Sequence, residues 1–281
     1  MSSTISELLI LERIEDNIFR GQSIDLGTPQ VFGGQVLGQA IQAAQATVSG
    51  RAIHSAHAYF LRRGDFNSPI LYDVDNNRDG RGFSSRRVVA IQHGKPIFTL
   101  AASFHESEDG MEFQPAYRLP PPASELPPLE LDVTPQPAAR NPTEDFELCL
   151  VPKALRTEEN SVQWWLKARH PLPDDMPLHR AVLAFISDFG LISAALEPHG
   201  YEPGNKGFLR QLVAASLDHA LWFHRPFRAD EWLLYSTVPR STSGARGLAS
   251  GSIYDARGTL VATSMQELLI RPIVASLAST S

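Results

Sequence analysis

The sequence predicts an α+β protein built from two tandem copies of one unit, an antiparallel sheet wrapped round a central helix. Three observations carry that reading: a string repeated on either side of a proline-rich middle, two almost wholly apolar helix candidates, and turn glycines at matching places in the halves. A helix with few polar residues must be covered nearly all round, and a curved sheet does that. The expected architecture is a tandem double hot-dog, with residues 1–113 as the first unit, 114–142 as a linker and 143–281 as the second.

In the first unit a helix is expected from Gly33-Gly34 through Ala44, with Val36, Leu37, Ala40, Ile41 and Ala44 at helical spacing. His57-Ala-Tyr-Phe-Leu-Arg-Arg63 follows, then a strand at Ile70–Val74, the pair Arg81-Gly82, and a hairpin of Arg86–Gly94 with Pro96–Phe104. The middle, Gln114 to Pro142, contains Leu119-Pro-Pro-Pro122 and Pro127-Pro128. Proline gives nothing to a sheet ladder, so this stretch reads as an extended surface connection that only tethers the two units. The second unit opens with a helix over Leu178–Asp188 leading into Phe189–Leu196, ended by Pro198 and Gly200. His219-Ala-Leu-Trp-Phe-His-Arg225, Trp232–Val238, Arg246-Gly247, Leu248–Tyr254, a turn at Asp255–Gly258 and Thr259–Gln266 then repeat the first unit's order. Agreement over about fifty residues is the mark of duplication. The two sheets are expected to pair edge to edge, which removes an exposed strand edge.

Composition narrows the function. A hydrophobic share of 43% supports a real core, and a formal charge of −6 argues against a general nucleic-acid binder. The one cysteine, Cys149, cannot form an internal disulfide and lies in the apolar run Phe146–Val151, so it is expected in the core of a protein from a reducing compartment, the cytoplasm. The start lacks a basic, then apolar, secretion signal, no run of about 18 apolar residues is seen, and Ala278–Ser281 is not a peroxisomal address, so no membrane partner is expected.

Familiar chemical motifs are missing. Gly33-Gly34 and Gly38 lack phosphate-cradle spacing, His54-x-x-His57 and His219 with His224 lack metal-ligand companions, and no Gly-x-Ser-x-Gly elbow occurs. Neither metal nor cofactor is expected. Ser216-Leu-Asp-His219 resembles part of a triad, but strand alternation would put Ser216 and Asp218 on one face and His219 on the other. Laying one copy on the other sets Ser216 near His54, Asp218 near Ala56, Gln266 near Ala102 and Asp188 near Gly33. The second copy thus has a carboxylate, a hydroxyl and an amide where the first has mostly small or different residues. On the residues alone two readings stay open: a site present in one copy, or simple divergence with Asp188 ending or capping its helix.

Five strings, Phe19–Ser23, Gln30–Val36, Leu217–Phe227, Glu231–Ser236 and Ala245–Gly247, closely resemble the acyl-CoA thioesterase II family, in order and over nearly the whole chain. The resemblance implies a double hot-dog hydrolase of acyl-CoA, a homo-oligomer, with Asp188, Ser216 and Gln266 as a water-activating trio. Many bacterial members carry threonine at the place of Ser216 and peroxisomal relatives serine; the hydroxyl is kept. Gly33 and Gly34, at a helix start, are candidate donors to the substrate carbonyl oxygen. His57 and, among the arginines at 62, 63, 78, 81, 86 and 87, Arg81 and Arg87 are candidate contacts for CoA. Two rivals are carried: a hot-dog dehydratase using His57 with a carboxylate, and a non-catalytic acyl-CoA sensor.

Overall fold

Burial of every second residue is what makes the strands here. In the computed structural model, which describes residues 4–28, 30–129, 144–203 and 211–273, β3 (Ala52–Phe60) turns Ala56 and Ala58 inward and His57 and Tyr59 out. The first half adds β1 (Glu12–Arg13), β2 (Ile18–Gly21), β4 (Ile70–Asp79), β5 (Phe83–Gln92) and β6 (Lys95–His105). The second contributes β7 (Phe146–Leu150), β8 (Val162–Ala168), β9 (Leu212–Ser216), β10 (Asp218–Phe223), β11 (Leu233–Ser243), β12 (Arg246–Asp255) and β13 (Leu260–Pro272). All join one antiparallel sheet in the order β1-β2-β4-β5-β6-β3-β10-β13-β12-β11-β8-β7, with β9 also on β13. The expected edge-to-edge junction is β3 with β10, running from Tyr59↔Asp218 to Ser55↔Trp222. Past its end, the Phe60 amide donates to the Leu217 carbonyl at 2.9 Å.

After the short α1 (Ile5–Leu9), helix α2 (Gly33–Gln45) fills the first half, as expected. The second helix divides: α3 (Met176–Ser187) lies along α2, and α4 (Leu191–Leu196) sits against β11 and β12. Glycine sets the α2–α3 spacing, since a Cβ on Gly34 would collide with the Phe185 carbonyl and one on Gly38 would stand 2.9 Å from that of Ala181. The stretch Met176–His199 is, against the sequence expectation, long and apolar enough to cross a bilayer. It is mostly buried inside the molecule, broken between α3 and α4 at Asp188–Gly190.

The proline-rich segment is more than a tether. Over residues 114–129 it straps the outer face of the second half, where Tyr117 stacks on Tyr254 at 4.0 Å and Gln114 bonds both Gly258 and Leu260. Trp165 donates to the Pro121 carbonyl, and Ala123 and Leu126 join Cys149, Val151, Trp165, Leu234 and Tyr254 in a small second core. Cys149 is therefore buried as expected, but beneath the strap and not around the helices. The linker's far end, to Pro142, lies outside the described residues.

Candidate active site

A break in strand regularity builds the site. On β13, Ser216 pairs with Leu268 but Ala220 pairs with Met265, so the register slips by one around Leu217. The slip turns Ser216 and His219 to the same inner face and Asp218 away, which corrects the regular alternation expected from the sequence. Asp218 instead accepts the Glu267 amide at 2.7 Å.

Asp188 closes α3 and is 7% exposed. Its Oδ1 accepts the Ser216 hydroxyl at 3.1 Å; Ser216 Oγ in turn accepts from Gln266 Nε2 at 2.8 Å. Gln266, fully buried, turns its Oε1 to His219 Nδ1 at 2.5 Å, and His219 Nε2 lies 3.0 Å from Ser187 Oγ. Tyr235 completes the surroundings by donating to the Ser187 carbonyl and meeting Ser264 Oγ at 2.8 Å. Burial raises the Tyr235 pKa, keeping it a phenol. Burial also lowers the His219 pKa, against the pull of Asp188, Gln266 and Asp218.

The predicted residues divide by place. Asp188, Ser216 and Gln266 come together although they arise from a helix end and two strands. Gly33 joins them: a Cβ there would stand 2.7 Å from Asp188 Oδ2 and 2.9 Å from the Phe60 ring. Gly34 packs on α3, so its side-chain position serves the helix contact. As first-turn residues of α2, both carry amides with no carbonyl partner inside the helix. His57 is not at this site; it points from the outer face, edge-on to Trp222 at 5.1 Å, with the sheet between it and Asp188. That position separates His57 from the trio and leaves it without the carboxylate partner that the dehydratase reading required. Arg87 is also on the outer face, Arg81 is exposed in the β4–β5 turn, and neither touches the trio. Arg86, expected in the CoA-facing set, is buried and held by Asp79 and Thr47. Two surface clefts, one at Arg118–Pro121 with Ala154–Thr157 and one beside Phe227 and Trp232, include none of the trio in their walls.

His219 is the residue that the sequence reading missed. At their exits β3 and β10 match through Leu61 N–H to Ile97 and His224 N–H to Val261, so counting back five residues pairs Ala56 with His219 and counting on pairs Ala102 with Gln266. The sequence overlay had Gln266 right but slipped by one at Asp218. Burial of Leu221 and Phe223 was the available signal, because it places His219 on the core side.

Two fused hot-dog units meet at a seam that holds a buried carboxylate–hydroxyl–amide cluster, the arrangement of a hot-dog enzyme. The acyl-CoA thioesterase N-terminal domain family matches residues 23–105, and the acyl-CoA thioesterase C-terminal domain family matches 122–270. Acyl-CoA thioesterase 2 of Haemophilus influenzae is 41% identical, covering 96% of this chain and 97% of its own. Human acyl-coenzyme A thioesterase 8 is 36% identical over 96% of this chain and 89% of its own. The crystal structure of acyl-CoA thioesterase II TesB2 from Mycobacterium marinum superposes with a TM-score of 0.82 at 40% identity, covering 95% and 97% of the two chains. The chain belongs to the acyl-CoA thioesterase family, and it is an acyl-CoA thioester hydrolase.

Proposed function

We propose that the enzyme releases fatty acids from CoA by direct attack of one water molecule, with Asp188 as general base. The observation that carries this is the directed contact of Ser216 with Asp188 and of Gln266 with Ser216, on the seam and beside the start of α2. A thioester carbonyl is electrophilic enough for a positioned water. The water oxygen forms the new bond to carbon as Asp188 takes its proton; Ser216 and the second N–H of Gln266 hold the water in line. Negative charge gathers on the carbonyl oxygen, where the amides of Gly33 and Gly34 are suited to receive it. The C–S bond then breaks, and the thiolate leaves with the proton that Asp188 holds. Half-buried Phe32, Phe60 and Phe189 around Asp188 supply an apolar rim for the acyl chain. The lone cysteine, buried beneath the strap, is compatible with a cytoplasmic enzyme and takes no part.

Turnover in oxygen-18 water tests the route. Direct attack puts the label in the released acid and leaves the Asp188 peptide and Ser216 unmodified in the quenched enzyme. Label incorporated into Asp188, or an acyl adduct on Ser216 formed at the rate of turnover, would refute it.

A further inference from the structure

We propose that His219 is a positioning residue for the hydrolysis: its Nδ1–H holds the Gln266 amide in the one orientation that aims the Ser216 hydroxyl at Asp188. The inference rests on the assignment of Asp188, Ser216 and Gln266 made above.

The argument is one of donors and acceptors. A carboxylate only accepts, so the Ser216 proton goes to Asp188. Ser216 Oγ must then receive a donor, and Gln266 supplies Nε2–H. That turns Gln266 Oε1 to His219, whose Nδ1 must carry a proton to satisfy it. The chain therefore runs one way, His219 to Gln266 to Ser216 to Asp188. With the proton on Nε2 alone, the amide turns over, Oε1 faces Ser216 and claims its single proton, and Asp188 loses its partner. Ser187 Oγ lies 2.8 Å from the Ala184 carbonyl and 3.0 Å from Nε2 and has one proton for the two. The Nδ1–H form of a ring that burial keeps neutral requires that proton at Nε2, so the tautomer is the point on which the proposal is tested. Asp188 is the charged group on the ring's own side and Asp218, on the opposite face, acts on it only through space, while β3 presents only Ala58.

The duplicated half gives an independent reason. There the equivalents of His219 and Gln266 are Ala56 and Ala102, paired across β3 and β6 and both buried. A histidine needed only to fill the core has no cause to coincide with the glutamine. The polar pair exists in the half that carries Asp188 and is replaced by two alanines in the half that carries glycine there.

The test measures kcat and KM for an acyl-CoA in His219→Leu and His219→Asn, each in wild-type and Gln266→Ala backgrounds. Partners that orient a reacting group are worth about ten- to a hundredfold, so His219→Leu is expected to lower kcat on that scale with KM little changed. His219→Asn, which can donate from near the Nδ1 position, is expected to recover most of the rate. In the Gln266→Ala background His219→Leu should cost nothing further. Wild-type kcat in a folded Leu variant, or the same loss with and without Gln266, overturns the proposal. If the Leu variant fails to fold, nitrogen NMR of the wild-type enzyme decides: Nδ1 protonated with Nε2 bare supports the chain, and the opposite tautomer or an imidazolium refutes it. Asp188→Asn separates the two claims. An active Asn variant sinks the hydrolysis reading, whereas an inactive one beside an unimpaired His219→Leu sinks the positioning role alone.

Discussion

Asp188→Asn changes one property of the site and leaves its shape. The asparagine carbonyl can still accept the Ser216 hydroxyl at the 3.1 Å that Oδ1 holds now, and the amide nitrogen takes the place of Oδ2 beside Gly33. What disappears is the group that receives the water's proton. Loss of a general base is worth about a hundredfold or more in rate, or about 2.7 kcal/mol of barrier. Stability should move the other way. Asp188 is 7% exposed and makes no ion pair among the described residues, so its buried charge is offset only by hydrogen bonding. A neutral amide removes that cost, and the melting temperature is expected to hold or rise as activity falls. Thiol release from a panel of acyl-CoA esters, read beside thermal melts, checks both. A folded Asn variant turning over within a few-fold of wild type refutes the role of Asp188.

Two further outcomes follow from the fold. His219 and His179 are buried with lowered pKa values, burial being the main cause in each, with Arg228 adding at His179. Unfolded chains protonate these rings near pH 6.5 and the native state does not, so their contribution is present above that pH and lost as pH falls; melts from pH 8 to 5 should decline only on the acid side. Replacing residues 115–128 by a glycine–serine chain of equal length should lower the melting temperature and increase binding of an apolar dye. It uncovers Trp165, Leu234 and Tyr254, which the strap now shields, and an unchanged melt would contradict that.

Much of this was legible in the sequence because duplication writes its signal twice. The repeated His-Ala strings, the matched turn glycines and the apolar helices predict the units and their edge pairing without reference to any contact. Asp188, Ser216 and Gln266 stood out as polar exceptions between copies, though the residues alone left divergence equally open. What escaped was geometric. The slip at Leu217 hid His219, because a single extra residue reverses which side chains share a face. His57 attracted attention as a histidine, yet its face is set by the alternation through Ala56 and Ala58. The strap's cover for Trp165 was invisible for another reason: proline content announces an extended chain but not the surface it lies on.

The seam also accounts for a duplicated fold with one trio. The two-copy overlay sets Gly33 opposite Asp188, and each stands just ahead of or at the start of the helix that its own half's sheet covers. The junction brings these two places into contact: a Cβ on Gly33 would already be 2.7 Å from Asp188 Oδ2. Two aspartates could not both fit there, and two carboxylates so close could not both stay ionised, which would spoil one as a base. Giving one copy the carboxylate and the other a glycine resolves both difficulties. The glycine leaves room for Asp188 and keeps a helix-start amide at the reaction centre, while Ala56 and Ala102 release the first half from supporting a second hydrogen-bonded chain. Such a division needs two different sequences at the seam, which a dimer of identical single units could not provide.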